Sequence, residues 1–453
     1  MKLLHPKTWS RAALFALPVL VAQVAVTQLQ SDMGFSALST VMAQDKQPDQ
    51  RETRRTPALR AKVYEKLSEA QVAAEAKDMK TAQKLLDELI GAGGKNELNS
   101  YELANVWNMY AFIYYERGDY ANALKAYERV IAQPDIPLAM EINTRFTVAQ
   151  LYFVQEQWQK GINALNEWFK MTDSPNPDAY VLLAQGYYQL KDYDKALSNV
   201  EKAISMHNQR QADKPAAERK PAKEQWYNLA RFLYFEKNDV KNTVAMLEIL
   251  LTYYPKKDYW VQLSHMYGEQ KKEKEQLAAM DTAYVQGVLD KGTEQVTMAY
   301  LYLNGELPYY AAKVMDKGLK DGSIEDTSKN WEITGGAWRQ AQEVDKSIPA
   351  MEKAAAKSDS GELYARLGNI YLDGDQNEKA IDAINKGLSR GGVRRPDTAR
   401  LVLGMAYFNT KQYAKARDAF QAAAKDKRSQ EYASQWIKFM DSELERQRSL
   451  AEG

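Results

Sequence analysis

The sequence predicts an all-α solenoid of about ten helix-turn-helix repeats closed by a C-terminal capping helix. Three observations predict it. Small and aromatic residues recur at fixed offsets with a long, nearly constant period. The spacing inside each copy is helical, and no single copy could bury its own apolar face, so copies must stack. The tail from Ser429 carries an apolar stripe and then turns wholly charged, as a helix covering the last repeat should.

Composition narrows the function before any motif is read. The 453-residue chain has no cysteine and 3 histidines, His5, His207 and His265, far apart in sequence. That excludes a disulfide framework, a zinc ribbon and a thiol nucleophile, and gives no basis for a histidine-rich metal site. With 61 Lys+Arg against 60 Asp+Glu there is no general attraction to nucleic acid or to acidic membranes.

The amino terminus comes first. Lys2, Lys7 and Arg11 precede an uncharged apolar stretch from Ala12 to Val26, and Val41-Met42-Ala43 closes the segment. A basic start, an apolar middle and a small-x-small end predict a signal peptide over 1–43, cleaved before Gln44, and hence a periplasmic protein. The alternative is a retained anchor, although the apolar stretch is shorter than the ~20 residues a span needs. Residues 44–60 are charged, Pro-containing and aperiodic, and predict a flexible leader.

The repeats follow. From Trp107, Ala111 lies four residues on, Tyr114 seven, Ala123 sixteen and Tyr127 twenty. The same offsets recur from Arg145, Tyr180, Tyr227, Trp260, Gln295, Trp331, Tyr364 and Arg400, and a degenerate first copy has Ala70, Ala73, Ala82 and Leu86. Origins are 33 to 38 residues apart except for one interval of 47. This resembles the tetratricopeptide repeat (TPR), and the resemblance covers nearly the whole chain after residue 60. It implies a TPR solenoid in which small residues sit where two helix backbones approach and large ones fill the space beside them. Pro134 and Pro255 are placed to stop a second helix. The long interval carries a polar stretch with Pro215 and Pro221, which predicts a linker over 209–222, either a long loop or a helix extension followed by a loop, between four repeats at 61–208 and six at 223–428. Residues 429–453 are the expected cap and charged tail, with Tyr432, Trp436, Ile437, Phe439 and Met440 on its apolar side.

No phosphate loop, dinucleotide fingerprint, nucleophile elbow or HExxH zinc motif is present. The sequence therefore predicts a non-enzymatic scaffold without cofactor or metal. In the TPR fold the first helix of each repeat lines the concave face, and the residues one, five and eight beyond each origin point inward. Those taken as partner-binding are Asn108, Phe112 and Tyr115; Phe146, Gln150 and Phe153; Gln185 and Tyr188; Asn228, Phe232 and Phe235; then His265 and Tyr300. Amides can pair with an extended peptide backbone and aromatics can receive its apolar side chains. The expected partner is thus a protein or extended peptide rather than an acidic tail, with no nucleic acid and only indirect membrane association. The Lys/Asn/Arg carboxylate clamp of some TPR proteins is not apparent, because no inward lysine accompanies Asn108 and Asn228.

Two stretches exceed what the repeat demands. YYPKKDYWVQL at 253–263 is followed by AAMDTAY at 278–284, and AYLYL at 299–303 runs on to KNWE at 329–332. They resemble the periplasmic TPR proteins of Gram-negative proteobacteria encoded beside TonB–ExbB–ExbD energy-transduction genes. That resemblance, over roughly 225–340, implies an accessory of TonB-dependent uptake with a TonB-system component as possible partner. Two other classes stand beside it: a periplasmic TPR adaptor for outer-membrane assembly, polysaccharide export or cell-wall machinery, and a transferase or hydrolase fused to such repeats, which the lack of any non-repeat segment of domain size argues against.

Overall fold

A computed structural model of the chain describes residues 58–452. The expected signal peptide and leader residues 44–57 lie outside the described residues. The last leader residues, 58–60, make contacts with the array. Arg60 donates from its backbone N–H, Nε and Nη2 to the Glu102 carboxylate at 2.9, 2.9 and 2.6 Å, and Asn99 donates to the Ala58 carbonyl. Glu102 is fully buried, and a buried carboxylate needs such a partner.

The described residues form twenty-one α-helices, ten antiparallel pairs and a final long one. In a first compact unit, ending at Tyr254, the pairs are α1 (Ala61–Glu75) with α2 (Met79–Ile90), α3 (Ser100–Glu116) with α4 (Tyr120–Ile131), α5 (Leu138–Val154) with α6 (Trp158–Phe169), α7 (Pro177–Gln189) with α8 (Tyr193–Ala212), and α9 (Glu224–Glu236) with α10 (Val240–Tyr253). A second unit begins at Pro255 and holds α11 (Lys257–Glu269) with α12 (Glu273–Val285), α13 (Gly292–Asn304) with α14 (Pro308–Asp321), α15 (Ser328–Gln340) with α16 (Val344–Ala356), α17 (Glu362–Asp373) with α18 (Asn377–Arg390), and α19 (Pro396–Asn409) with α20 (Tyr413–Ala424). The last helix, α21 (Gln430–Glu452), follows. The pairs are the expected repeats, and the fold is an all-helical TPR-type array.

One local device joins the two helices of every pair. The residue eleven past each origin is left-handed: Lys77, Gly118, Glu156, Lys191, Asn238, Lys271, Glu306, Gln342, Asp375 and Lys411. In α7–α8 the Lys191 N–H bonds the Tyr188 carbonyl and the Asp192 N–H bonds the Tyr187 carbonyl, each at 2.9 Å. This is a Schellman cap, and it satisfies the orphan carbonyls at the end of the first helix. Asp192 then caps the second helix, accepting from the Lys195 N–H at 3.2 Å. The recurring aromatic seven past the origin is therefore the residue whose carbonyl closes the cap.

Packing within a pair follows the small-residue positions. Ala184 and Ala196 are both wholly buried where α7 meets α8. Where the first position is glycine, the partner residue is large: a Cβ on Gly404 would lie 2.5 Å from the Phe420 ring. Phe420 in turn stacks on Trp436 of α21 at 5.6 Å, so the cap does cover the last pair. The expectation for the cap holds for Trp436, Ile437 and Met440 but not for Tyr432 and Phe439, which stay more than half exposed. At 3.6 residues per turn Tyr432 and Phe439 fall about a quarter-turn round the helix from buried Ala433 and Met440, at the edge of the stripe that meets the last pair.

At 209–222 the structure has the second of the two expected forms, a helix extension followed by a loop. α8 runs on to Ala212, and the rest of the insertion folds back on it. His207 Nε2 is 3.0 Å from the Lys220 carbonyl oxygen, Arg219 Nη2 donates to the Ala212 carbonyl, and Ala222 is wholly buried. The array is thus continuous through 209–222, and the division between compact units falls instead at Tyr254–Pro255.

Candidate functional site

The first helices of unit 1 bring the predicted residues onto one face, but not all of them reach its surface. Asn108 and Phe112 on α3, Phe146 on α5, Tyr188 on α7, and Asn228 and Phe235 on α9 are half-buried and open to solvent in part. They are the accessible members of the set. The Phe146 ring lies 4.8 Å from Trp168 of α6, and Tyr188 meets Phe232 edge-on at 5.5 Å. Asn228 accepts from Arg231 Nε at 3.2 Å.

Five predicted residues face inward into packing. Phe153 is 2% exposed, because the pair α5–α6 has Gly161 where most pairs have alanine, and Gly186 of α7 leaves a second gap. A Cβ on Gly186 would stand 2.5 Å from the Phe153 ring and one on Gly161 2.8 Å from it, so the ring fills both spaces. Tyr115 is buried against Tyr120 at 5.5 Å, and burial pushes its hydroxyl up to about 12. Phe232 is buried beneath Tyr188. Gln150 is 1% exposed and Gln185 9%. Tyr115, Gln150, Phe153 and Phe232 therefore support the face from below rather than form it. Gln185 is the exception in chemistry: its Oε1 is buried with no hydrogen-bond partner, which is costly unless something donates to it.

In unit 2, His265 on α11 and Tyr300 on α13 are half-buried. Burial lowers the His265 pKa from its ordinary value, so its ring is neutral at pH 7, and its Nδ1 has no hydrogen-bond partner. The adjacent Gln262 Oε1 and Trp260 Nε1 are likewise buried and unpartnered. A polar donor and acceptors are thus exposed to no water on α11 alone.

Sequence reasoning passed over Arg231. It occupies the position four past Tyr227, where other copies carry Ala, Ser or Gly, and it is 5% exposed. The break in an otherwise small-residue column was the available signal. It places a permanent positive charge beside Asn228 in a face with few other charges.

Among the described residues no group of three or more His, Asp or Glu is placed to hold a metal ion. None of the described helices is long and apolar enough to cross a membrane.

Comparison with known proteins agrees with the repeat reading. The family model described as anaphase-promoting complex, cyclosome, subunit 3 matches residues 116–203, and a tetratricopeptide repeat model matches residues 365–432. No curated protein matches the chain. Among solved structures, the chain is similar to YrrB, a TPR protein with an unusual peptide-binding site, at 12% identity over 42% of this chain and 96% of that one, TM-score 0.36. It is similar to the APC/C hetero-tetramer Cut9–Hcn1 at 12% identity, 82% and 95% coverage, TM-score 0.33. It is also similar to the TPR2AB domain of yeast Sti1 in its pHSP90 complex at 15% identity, 61% and 99% coverage, TM-score 0.33. The first matched segment runs from the end of α3 into α8 and the second from α17 into α21, and the fold is that of a tetratricopeptide-type helical array.

Proposed function

We propose that this tetratricopeptide array is a non-catalytic scaffold that holds an extended segment of a partner protein on the first-helix face of unit 1. The observation that carries the reading is the face itself. Phe112, Phe146, Tyr188 and Phe235 are only half covered, and Gln185 keeps a buried acceptor unsatisfied among them. A peptide N–H delivered to Gln185 Oε1 would remove that cost, while the aromatic rings would take apolar side chains from water. Neither water nor a small ion supplies both at once.

The partner we favour is the extended periplasmic region of a TonB-type protein, with this chain as an exported accessory of TonB-dependent uptake. That choice rests on the resemblance of the 253–263 and 299–332 stretches and on the basic and apolar residues before Gln44. The test is capture of a purified TonB periplasmic region by the chain from Gln44 onward, beside capture from envelope extract. Phe112→Ala and Phe235→Ala should each weaken capture with helicity unchanged. Capture of a different envelope protein with the same dependence would retain the face and reject the partner. Capture that ignores both substitutions would reject the face.

A further inference from the structure

In unit 2 a second surface is built differently from the rest of the array. Helices α14 and α16, the second helices of successive pairs, form the walls of an open cleft of about 860 Å³, and α15 lies beneath them. The floor is two buried indoles, Trp331 and Trp338. Lys353 Nζ sits 4.1 Å from the Trp331 ring centre and Lys346 Nζ 4.8 Å from that of Trp338. Tyr309 meets Trp338 edge-on at 5.5 Å and is 41% exposed. Elsewhere the cations cover a single ring, as Lys202 does on Tyr180 and Lys386 with Arg390 on Tyr364. Here the two rings and their two lysines share one cleft.

The charges are unbalanced. Five lysines line the cleft, 313, 317, 320, 346 and 353, against Asp316, Asp321 and Asp345. Lys320 pairs with Asp316 at 2.6 Å and Lys346 with Glu343 at 2.9 Å. Lys313, Lys317 and Lys353 make no direct ion pair among the described residues and all three are exposed, Lys317 acting on Asp321 and Lys353 on Asp326 only at longer range. The backbone adds a further feature. Pro349 lies inside α16 and lines the cleft. Having no N–H, it leaves the Asp345 carbonyl, one turn earlier on the same wall, without its helical donor.

We infer that this cleft docks an acidic, extended segment of a partner protein, separately from the first-helix face of unit 1. The spacing supports an extended chain. Lys313 and Lys317 are about 6 Å apart along their helix at 1.5 Å per residue. Side chains two positions apart on an extended strand share a face and are about 7 Å apart. Carboxylates at such positions meet Lys313 and Lys317, one on the strand's opposite face meets Lys353 on the other wall, a peptide N–H meets the Asp345 carbonyl, and an apolar or aromatic side chain lies against Tyr309 and the indole edges. The three aspartates among the lysines oppose a continuous phosphate backbone, which is why a protein segment is the occupant.

The experiment uses the chain from Gln44 onward and a fluorescein-labelled synthetic peptide of alternating Glu and Leu with a central Tyr, followed by anisotropy. Saturable binding that weakens as salt rises is expected. Lys317→Glu with Lys353→Glu should weaken it by about tenfold or more. Lys317→Met with Lys353→Met keeps apolar stems over Tyr284 and Trp331 and removes only charge, so it should also weaken binding while the far-ultraviolet spectrum stays that of the parent. The charge-matched control Lys202→Glu with Lys386→Glu should bind as the parent does. Absence of saturable binding, or equal loss in the control, overturns the proposal. So does tighter, lysine-dependent binding of phosphatidylglycerol vesicles or of single-stranded DNA, which would make the occupant a lipid surface or a nucleic acid.

Discussion

The ring of Phe153 offers a prediction with a sign that reverses. It is wholly enclosed, with Gly161 and Gly186 standing where a methyl group would collide with it at 2.8 and 2.5 Å. Removing a buried Phe side chain costs about 3–5 kcal/mol, the larger figure where the surroundings cannot collapse. Two glycines have no side chain to move inward, so Phe153→Ala belongs at about 4 kcal/mol or above. Gly186→Ala alone gains about 1 kcal/mol of helix propensity and loses about 1–3 kcal/mol to overpacking, and so is neutral to destabilising. Placed on Phe153→Ala, the same methyl enters the vacated space. It then keeps the propensity gain and adds about 0.8 kcal/mol of burial, stabilising by nearly 2 kcal/mol. The propensity contribution is common to both backgrounds and cancels in the double-mutant cycle, leaving a coupling of about 2–4 kcal/mol. Hydrogen exchange of α5 to α7 is the assay, because a repeat array need not unfold as one unit and the local opening free energy is what changes. Additive effects in the two backgrounds would show that the ring does not occupy the space beside Gly186, and Phe153 would return to the set of possible partner contacts.

Further outcomes follow from other sites. Lys191→Gly should raise the local stability of α7–α8 by up to about 1 kcal/mol, because a non-glycine residue at φ 60° is strained, and Gly118→Ala at φ 72° should lower that of α3–α4 by a similar amount; urea titration followed by circular dichroism checks both. Asp397, held by Arg395 and by the Ser429 hydroxyl, has its carboxyl well below the usual carboxylate range. A depressed folded pKa stabilises above the unfolded value of about 3.9 and is lost as pH falls through the folded one, so the junction of α19 and α21 should melt progressively more easily in acid. Asp397→Asn should be less stable than the parent at pH 7 and flatter with pH between neutrality and strong acid. Arg60→Ala should loosen α1 and α3 at neutral pH by leaving buried Glu102 without its guanidinium, with lost exchange protection at Glu102 and Leu103 as the readout.

Much of this molecule was legible because repetition multiplies weak signals. One Ala and one Tyr seven residues apart mean little; ten copies at shared offsets specify helix, turn, partner helix and order of stacking. The apolar column at offsets four, seven, sixteen and twenty is a statement about which surface each helix must bury, and that surface is the same in every pair. Even the turn was placed, since the aromatic at offset seven carries the carbonyl that closes the cap. Its left-handed conformation was hidden, however, because Gly118 alone among those ten positions is glycine and the others bear the strain instead.

Tertiary structure decided which side chains on a correctly chosen face remain available. Offsets one, five and eight select a direction, but burial depends on what the neighbouring pair brings up to that point. Phe153 sinks because Gly161 and Gly186 happen to leave room for it, whereas Phe235, at the same offset, stays half open. The same holds for 209–222, whose prolines and charges read as a linker until contacts through His207 and Arg219 tie it to α8 and Tyr254 donates to its Ala222 carbonyl. The lysine-lined cleft over Trp331 and Trp338 was likewise invisible to periodicity, for its walls come from helices one repeat apart and its floor from the one between. A repeat pattern encodes contacts that recur; a site is made where they do not, and there only the packed neighbours determine which atoms meet solvent.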